Sequence, residues 1–350
     1  MIRTPRESTR YAKPARHRRS LSIVIPVFNE SSHIARTIQE AAAAAAAGDF
    51  ETEFVVVDDG STDGSGDVAE SLRLQAPIRV IRQLNLGRIA ARRAGLAAAT
   101  GEYTMFLDGR VRLEPDGLAF ISRRLSSGER VWNSHVTIDT AGNPYGKFWK
   151  VLVNLVWPDY LARPRTMSFG ADEFDRYPKG TAGFIAPTDL MKQGFAKFAS
   201  YYEDERFGND DTSIIRWIAT QERINISPEY ACTYAPRTTM EAFTRHAFHR
   251  GIVFLDGHGR PESRFFPAVI AFYPISIAMV PFVLRRPKLA VGTLIAGMAT
   301  LAGVLRLRGF PPDEAASFAA LAPLYAVFHG AGMWKGLAMM LGRRARKESR

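Results

Sequence analysis

Four charged clusters in this sequence have residue types and spacings suited to polar chemistry. The first is Asp58-Asp59, which opens the run Asp58-Asp59-Gly60-Ser61-Thr62-Asp63 directly after an apolar stretch. A carboxylate there can accept a hydrogen bond from a nucleobase N–H or a ribose hydroxyl, and Gly60 lets the backbone come close. An ordinary turn with a helix cap is the bland alternative. The second, Asp108-Gly109-Arg110, follows another apolar stretch. Its carboxylate can bind a ribose hydroxyl or a divalent cation carrying a diphosphate, or it can cap a β-turn. The third joins Glu203-Asp204-Glu205 to Asp210-Asp211, just before a helix-like stretch. Adjacent carboxylates raise each other's pKa, so one of them can act as a general base. The helix dipole alone also favours acids at such a place. The fourth is Arg88, Arg92 and Arg93. On a predicted helix, Arg88 and Arg92 share a face at i, i+4, where they can meet a diphosphate or stand as surface charges.

The elements that must position these groups are legible from apolar patterning. Residues 21–27 (LSIVIPV) form a short β-branched apolar run that predicts a buried parallel strand. A polar turn follows, with Ser31 or Ser32 as N-cap, and a helix from about His33 through the alanine tract to Gly48. Alanine's helix propensity explains that tract without any function. Strands are predicted at 53–57, 78–82 and 103–107, with helices at 66–74 and 87–99 between them. This alternation implies right-handed crossovers and a parallel-rich α/β sheet covered on both faces. Ligands bind beyond the carboxyl ends of such strands, so the turns at 26–30, 58–63 and 108–112 are expected to converge on one crevice. Residues 113–264 read as the second half of the same domain.

The last third changes character. Residues 265–284, 289–305 and 318–334 are three long stretches without Asp, Glu, Lys or Arg, at the lower to middle range for crossing a bilayer. The sequence carries a net charge of +11, but the excess sits in residues 1–20 and 343–350. That argues against a nucleic-acid surface on the folded domain and fits anionic lipid heads. The bland reading is two solvated tails. Basic residues at 285–288 and in the tail predict spans at 289–305 and about 317–336, with the proline-interrupted segment 265–284 in the interface. No signal-peptide pattern precedes residue 20, so the first domain is expected to stay cytoplasmic, at the inner membrane. The single cysteine, Cys232, permits no intrachain disulfide.

Taken together, IPVFNE (25–30), VVVDDGSTDG (55–64), NLGRIAARRAG (85–95) and ATGEYTMFLDGR (99–110) resemble the family 2 glycosyltransferases of GT-A fold. The likeness extends over residues 21 to about 250. It implies a GT-A domain over 21–264 with a parallel-rich mixed sheet, then a hydrophobic membrane region over 265–342. It further implies that Pro26, Phe28 and Glu30 line the base and ribose, and that Asp59, with Asp58, contacts the base. Arg88 and Arg92 would lie near the donor phosphates. Asp108 would hold the first position of Asp-x-Asp and any metal. Asp211, paired with Asp210, would be the base. Lys179 to Gly183, with Gly180, Thr181 and Gly183, would form an acceptor loop. The second Asp of Asp-x-Asp is Arg110 here. A cation cannot ligate a cation, so either Asp108 alone holds Mg2+ or Mn2+ with the diphosphate, or Arg110 neutralises the leaving group itself, or catalysis is lost.

The resemblance thus implies an inverting transfer of sugar from a nucleotide-sugar donor to an acceptor hydroxyl, lipid-linked or in an envelope glycan, at the membrane. One rival acceptor is polyprenyl phosphate itself. The rival from another class is a non-catalytic nucleotide-binding scaffold.

Overall fold

The computed structural model describes residues 18–209 and 211–348, with side chains as far as 343. Most of the expected basic arm, and Asp210, therefore lie outside the described residues.

The first half alternates as the apolar pattern requires. It runs β1 (Ser20–Val27), α1 (Ser31–Ala47), β2 (Glu51–Asp58), α2 (Ser65–Ser71), β3 (Ile78–Arg82), α3 (Arg88–Ala98) and β4 (Tyr103–Phe106). Then come β5 (Val111–Leu113), α4 (Gly117–Ser126), β6 (Trp132–Ile138), α5 (Pro144–Val156), α6 (Pro158–Leu161) and β7 (Met167–Phe169). The domain closes with β8 (Phe184–Pro187), α7 (Thr188–Ala196), α8 (Thr212–Gln221), β9 (Ile224–Tyr234) and α9 (Met240–His258). All nine strands join one sheet in the order β3-β2-β1-β4-β8-β6-β9-β5, with β7 added beside β9.

The β3-β2-β1-β4 half is parallel, and β8 turns the direction by pairing antiparallel to β4. Such a mixed sheet is what the resemblance implied. Two apolar cores cover its faces. Ile34, Ile38, Phe54 and Leu118 belong to one. Val55, Leu96, Phe106 and Ile218 belong to the other. Consecutive β2 residues thus alternate between cores, the period-two consequence of the pleat. The cap of α1 differs from expectation. Glu30 occupies the N-cap without a side-chain cap bond; its carboxylate is taken by Arg110 and Arg237, and Ser31 gives its N–H to Asp63.

Three long helices follow: α10 (Phe266–Arg285), α11 (Pro287–Leu307) and α12 (Pro312–Glu348). By length and composition each is apolar enough to cross a membrane. α10 continues unbroken through Pro274 and Pro281, so the prolines do not divide the segment. α10 and α11 are almost wholly exposed, whereas a third of the apolar window of α12 is buried. α12 packs along α9 and α5. Phe318 stacks on Phe148 at 4.9 Å, and Tyr325 meets Trp149 edge-on at 5.5 Å. Further along, Gly332 faces the Phe248 carbonyl and Gly251 faces the His329 carbonyl, each so closely that a Cβ would sit well inside contact distance. Both glycines are needed for this backbone-to-backbone crossing.

Candidate active site

The register of β1 against β2 sets Val27 opposite Asp58, so the turns that leave these strands start side by side. Short polar bonds knit them together. Thr62 N–H donates to Asn29 Oδ1 at 2.8 Å, and Glu30 N–H donates to Ser65 Oγ at 2.8 Å. Asn29 takes a left-handed φ of 55° to make this turn. Asp63 ties Ser31 and Ser65. Burial opposes its charge, but the hydroxyl and amide donors of Ser65 and Ser31 prevail and hold its carboxyl at about 2.

Asp59 is buried, and its carboxylate is occupied by the loop that leads into α3. Oδ1 accepts from Gln83 Nε2 at 2.7 Å and Leu86 N–H at 2.9 Å, and Oδ2 accepts from Gly87 N–H at 2.8 Å. Gly87 itself needs φ +91°, and a Cβ there would meet the Arg206 backbone at 2.7 Å. Asp58 accepts from Ser61 N–H at 2.9 Å, closing its own turn. Phe28, 45% exposed, stands on the same rim, as do the exposed Leu84 and Leu86. An apolar ledge thus flanks the polar turns, while Pro26 is half-buried inside β1.

The β4 turn joins this rim through two ion pairs. Arg110 Nε donates to Glu30 Oε1 at 2.7 Å, and an Arg110 Nη sits 3.1 Å from His33 Nε2. Arg237 reaches Glu30 at 3.3 Å. Burial, then the Arg110 charge, pushes the His33 imidazole below its ordinary value. Arg92 is 1% exposed and donates to Asp108 Oδ1 at 2.6 Å. It lies beneath Asp108 rather than on the surface, and its partner on the helix, Arg88, turns to His249 at 3.2 Å. Burial, then Arg88 and Arg250, drives His249 down to about 4.

Asp211 comes from a different element, the start of α8. It is the N-cap of α8 and accepts from Thr212 Oγ1 at 3.0 Å. A Cβ built on Gly180 would lie 3.7 Å from its Oδ2, so the carboxylate faces the 179–183 loop. Its charge also stabilises the Arg92 guanidinium, which burial alone would disfavour. The loop is pinned from beneath. Gly180 N–H donates to Asn133 Oδ1 at 3.1 Å, Gly183 N–H donates to the Phe106 carbonyl at 2.8 Å, and Thr181 is buried. Lys179 points away, into Asp175 and the Phe174 ring, and burial lowers it to about 8.

The structure therefore brings Phe28, Glu30, Asp58, Asp59, Arg88, Arg92, Asp108, Arg110, Gly180 and Asp211 to one sheet edge. Two acids of the expected carboxylate cluster are engaged elsewhere. Glu205 pairs with Arg93 at 3.0 Å, and Asp204 pairs with Arg206 at 2.6 Å. Gln83, His33 and Arg237 were missed, because nothing in their local sequence signals a partner far along the chain.

A cation would find a sparse donor set here. Asp108 is the one carboxylate of its turn, and Arg92 holds one of its oxygens. Among the described residues no three His, Cys, Asp or Glu side chains gather as ligands. A cation here would depend on Asp108 together with oxygens of a bound diphosphate.

The family description "Glycosyl transferase family 2" matches residues 22–184. An uncharacterized glycosyltransferase of Nostoc sp. is 43% identical over 90 residues, which is 25% of this chain and 27% of that protein. The dodecaprenyl-phosphate galacturonate synthase of Rhizobium johnstonii is 31% identical over 112 residues, 31% of this chain and 33% of that protein. The chain thus spans about a quarter to a third of the length of these curated relatives. A mannosyltransferase from Pyrobaculum calidifontis, solved with GDP-Man and Mn2+, superposes with TM-score 0.53 over 91% of this chain and 89% of its own, at 17% identity. That likeness is one of fold. Residues 22–184 thus match the glycosyl transferase family 2 description, and the likeness in fold is to the GT-A kind.

Proposed function

We propose that this chain transfers a sugar, with inversion, from a nucleotide-diphospho-sugar to an acceptor hydroxyl presented at a membrane. One observation carries the reading: Asp211 lies against Gly180 of the 179–183 loop and acts on Arg92, which holds Asp108. The base would rest against Phe28 and the Leu84–Leu86 ledge, with Glu30 and Asp58 as polar partners. Asp59 would act one step removed, by fixing Leu86 and Gly87 so that Arg88 at the start of α3 meets the diphosphate.

Asp211 would take the acceptor's proton as the acceptor oxygen bonds to the anomeric carbon. The bond from that carbon to the diphosphate oxygen breaks on the opposite side, and the electron pair leaves with the nucleoside diphosphate. Arg88 and Arg110 would stabilise the charge that grows there. Asp108 is the one carboxylate of its turn that could meet Mg2+ or Mn2+, and in this reading the arginines carry that charge. The acceptor would be a lipid-linked or envelope glycan, with the domain on the cytoplasmic side of the inner membrane.

A second acceptor reading has its own support. The Rhizobium relative, and an undecaprenyl-phosphate 4-deoxy-4-formamido-L-arabinose transferase of Pseudomonas syringae that is 32% identical over 111 residues, are named for polyprenyl phosphates. In that case the attacking group would be a phosphate oxygen.

Detergent-solubilised protein should be screened against nucleotide sugars by thermal shift, and the stabilising donor then assayed for turnover with Mn2+ and with EDTA. The reading requires a raised melting temperature with at least one donor, turnover that survives EDTA, and its loss in Asp211→Asn. Turnover abolished by EDTA would overturn the arginine assignment. An Asp211→Asn variant as active as the parent would remove the base.

A further inference from the structure

We infer that only the α10–α11 hairpin crosses the bilayer, and that α12 stays on the catalytic domain. α10 and α11 have 20 and 21 residues, so each rises about 30 Å, the thickness of the hydrocarbon core. Neither is covered by protein: Ile275, Ile277, Val280, Leu294 and Ile295 are all exposed along them. A surface this apolar and this extended needs an apolar solvent, and its length selects lipid. Pro274 and Pro281 withhold an N–H from the carbonyls of Ile270 and Ile277, a gap that spanning helices tolerate.

α12 has the composition of a span but not the connections of one. At its start Asp313 and Glu314 pair with Lys147 and Lys150 of α5 at 2.7 and 2.6 Å. At its far end Arg343 donates to the carbonyls of Ser200 and Tyr202 at 2.6 and 3.0 Å. Those ties lie some 30 residues apart, about 45 Å of helix, yet both are to the same globular domain. Between them the helix crosses α9 through Gly251 and Gly332. To place α12 in hydrocarbon would drag α9, with Arg245, His249, Arg250 and Asp256, in with it. Its exposed outer residues, Val327 and Leu341 among them, suit the bilayer surface instead.

Charge agrees with this arrangement. Arg250, Arg260, Arg264, Arg306 and Arg308 flank the hairpin on the domain side, against Arg285, Arg286 and Lys288 at its tip. The larger cationic count marks the cytoplasmic side. The turn over 285–288 then lies beyond the membrane, in contrast to the expectation from sequence that placed it inside and counted α12 as a span. The inference rests on membrane attachment but not on sugar transfer.

Cysteine labelling tests it directly, because the natural thiol is inert. Cys232 is buried, and burial raises it to about 12. Four single substitutions in the full chain are compared: Gln75→Cys on the domain, Arg286→Cys and Lys288→Cys at the tip, and Glu348→Cys at the end of α12. A membrane-impermeant maleimide is applied to spheroplasts and to inside-out vesicles. The tip should label only from the face opposite to Gln75→Cys, and Glu348→Cys from the same face as Gln75→Cys. Labelling of the tip on the domain side would overturn the crossing hairpin. Labelling of Glu348→Cys on the tip side would make α12 a span. Release of the parent protein by carbonate washing would overturn membrane insertion itself, while leaving the donor-binding assay untouched.

Discussion

Replacing Asp59 with asparagine separates two jobs that a buried carboxylate beside the proposed donor site can have. Its two oxygens accept from Gln83 Nε2, Leu86 N–H and Gly87 N–H at 2.7 to 2.9 Å. Asparagine has the same shape but puts a donor where one oxygen was, so at least one backbone amide would face another donor. Bonds to a charged acceptor contribute about 1.5–3 kcal/mol each, and a buried donor left unpaired adds its own desolvation cost. Losing one such bond and weakening the others should cost about 3 kcal/mol, or roughly 6–12 °C in melting temperature for a domain of this size. Donor binding should weaken as well, because Gly87 caps α3 and sets the position of Arg88. Asp58→Asn serves as the control. Its described bonds are one turn amide and Arg82 at 3.8 Å, so it should cost about 1 kcal/mol. Melting curves and donor titrations on both variants decide the matter. An Asp59→Asn protein as stable as the parent but unable to bind donor would refute the bracing role and return Asp59 to direct contact with the base.

Three further outcomes follow from the packing and the charges. Gly251→Ala, or Gly332→Ala, should lower the melting temperature by a few degrees, at about 1–3 kcal/mol for overpacking, and should make α12 more sensitive to limited proteolysis. His249 has a folded value of about 4 against 6.5 when free, so the unfolded chain binds a proton that the folded one refuses. Stability from this group is complete above pH 6.5 and is lost as pH falls toward 4, by about 2 kcal/mol at pH 5. His249→Gln should flatten that part of a melting-temperature profile. Asp175 gathers Arg216 Nη2 at 2.9 Å, Lys179 Nζ at 3.4 Å and the Arg264 N–H at 3.0 Å. Its change to asparagine leaves two cations short of a buried partner and should cost about 3–5 kcal/mol in denaturant unfolding.

The donor half of the fold was legible because its strands are short, β-branched and followed at once by turn residues, a local signal that tertiary context seldom overturns. The meeting of the turns after Val27, Asp58 and Leu107 followed from parallel pairing alone. What the linear pattern could not supply was the use of each polar group. An arginine at i+4 from another looks like a surface residue until Asp108, sixteen positions on, takes it into the interior. A carboxylate after a strand looks like a ligand contact until a loop 24 to 28 residues later closes over it. α12 shows the same limit. Its apolar composition reads as a span, while the glycine crossing and the end ties that keep it on the domain involve residues dozens to more than a hundred positions away.

The reversal of direction between β4 and β8 has a consequence for redesign. Because the two strands run opposite ways, the segment entering β8 arrives at the edge that β4 leaves, and Gly183 hooks onto Phe106 one residue from Leu107 and two from Asp108. The two halves of the crevice are therefore not interchangeable modules. On the roles proposed for this loop and for Asp108, grafting a foreign 179–183 loop would displace Asp108 too, so altered acceptor choice should carry an altered donor preference with it.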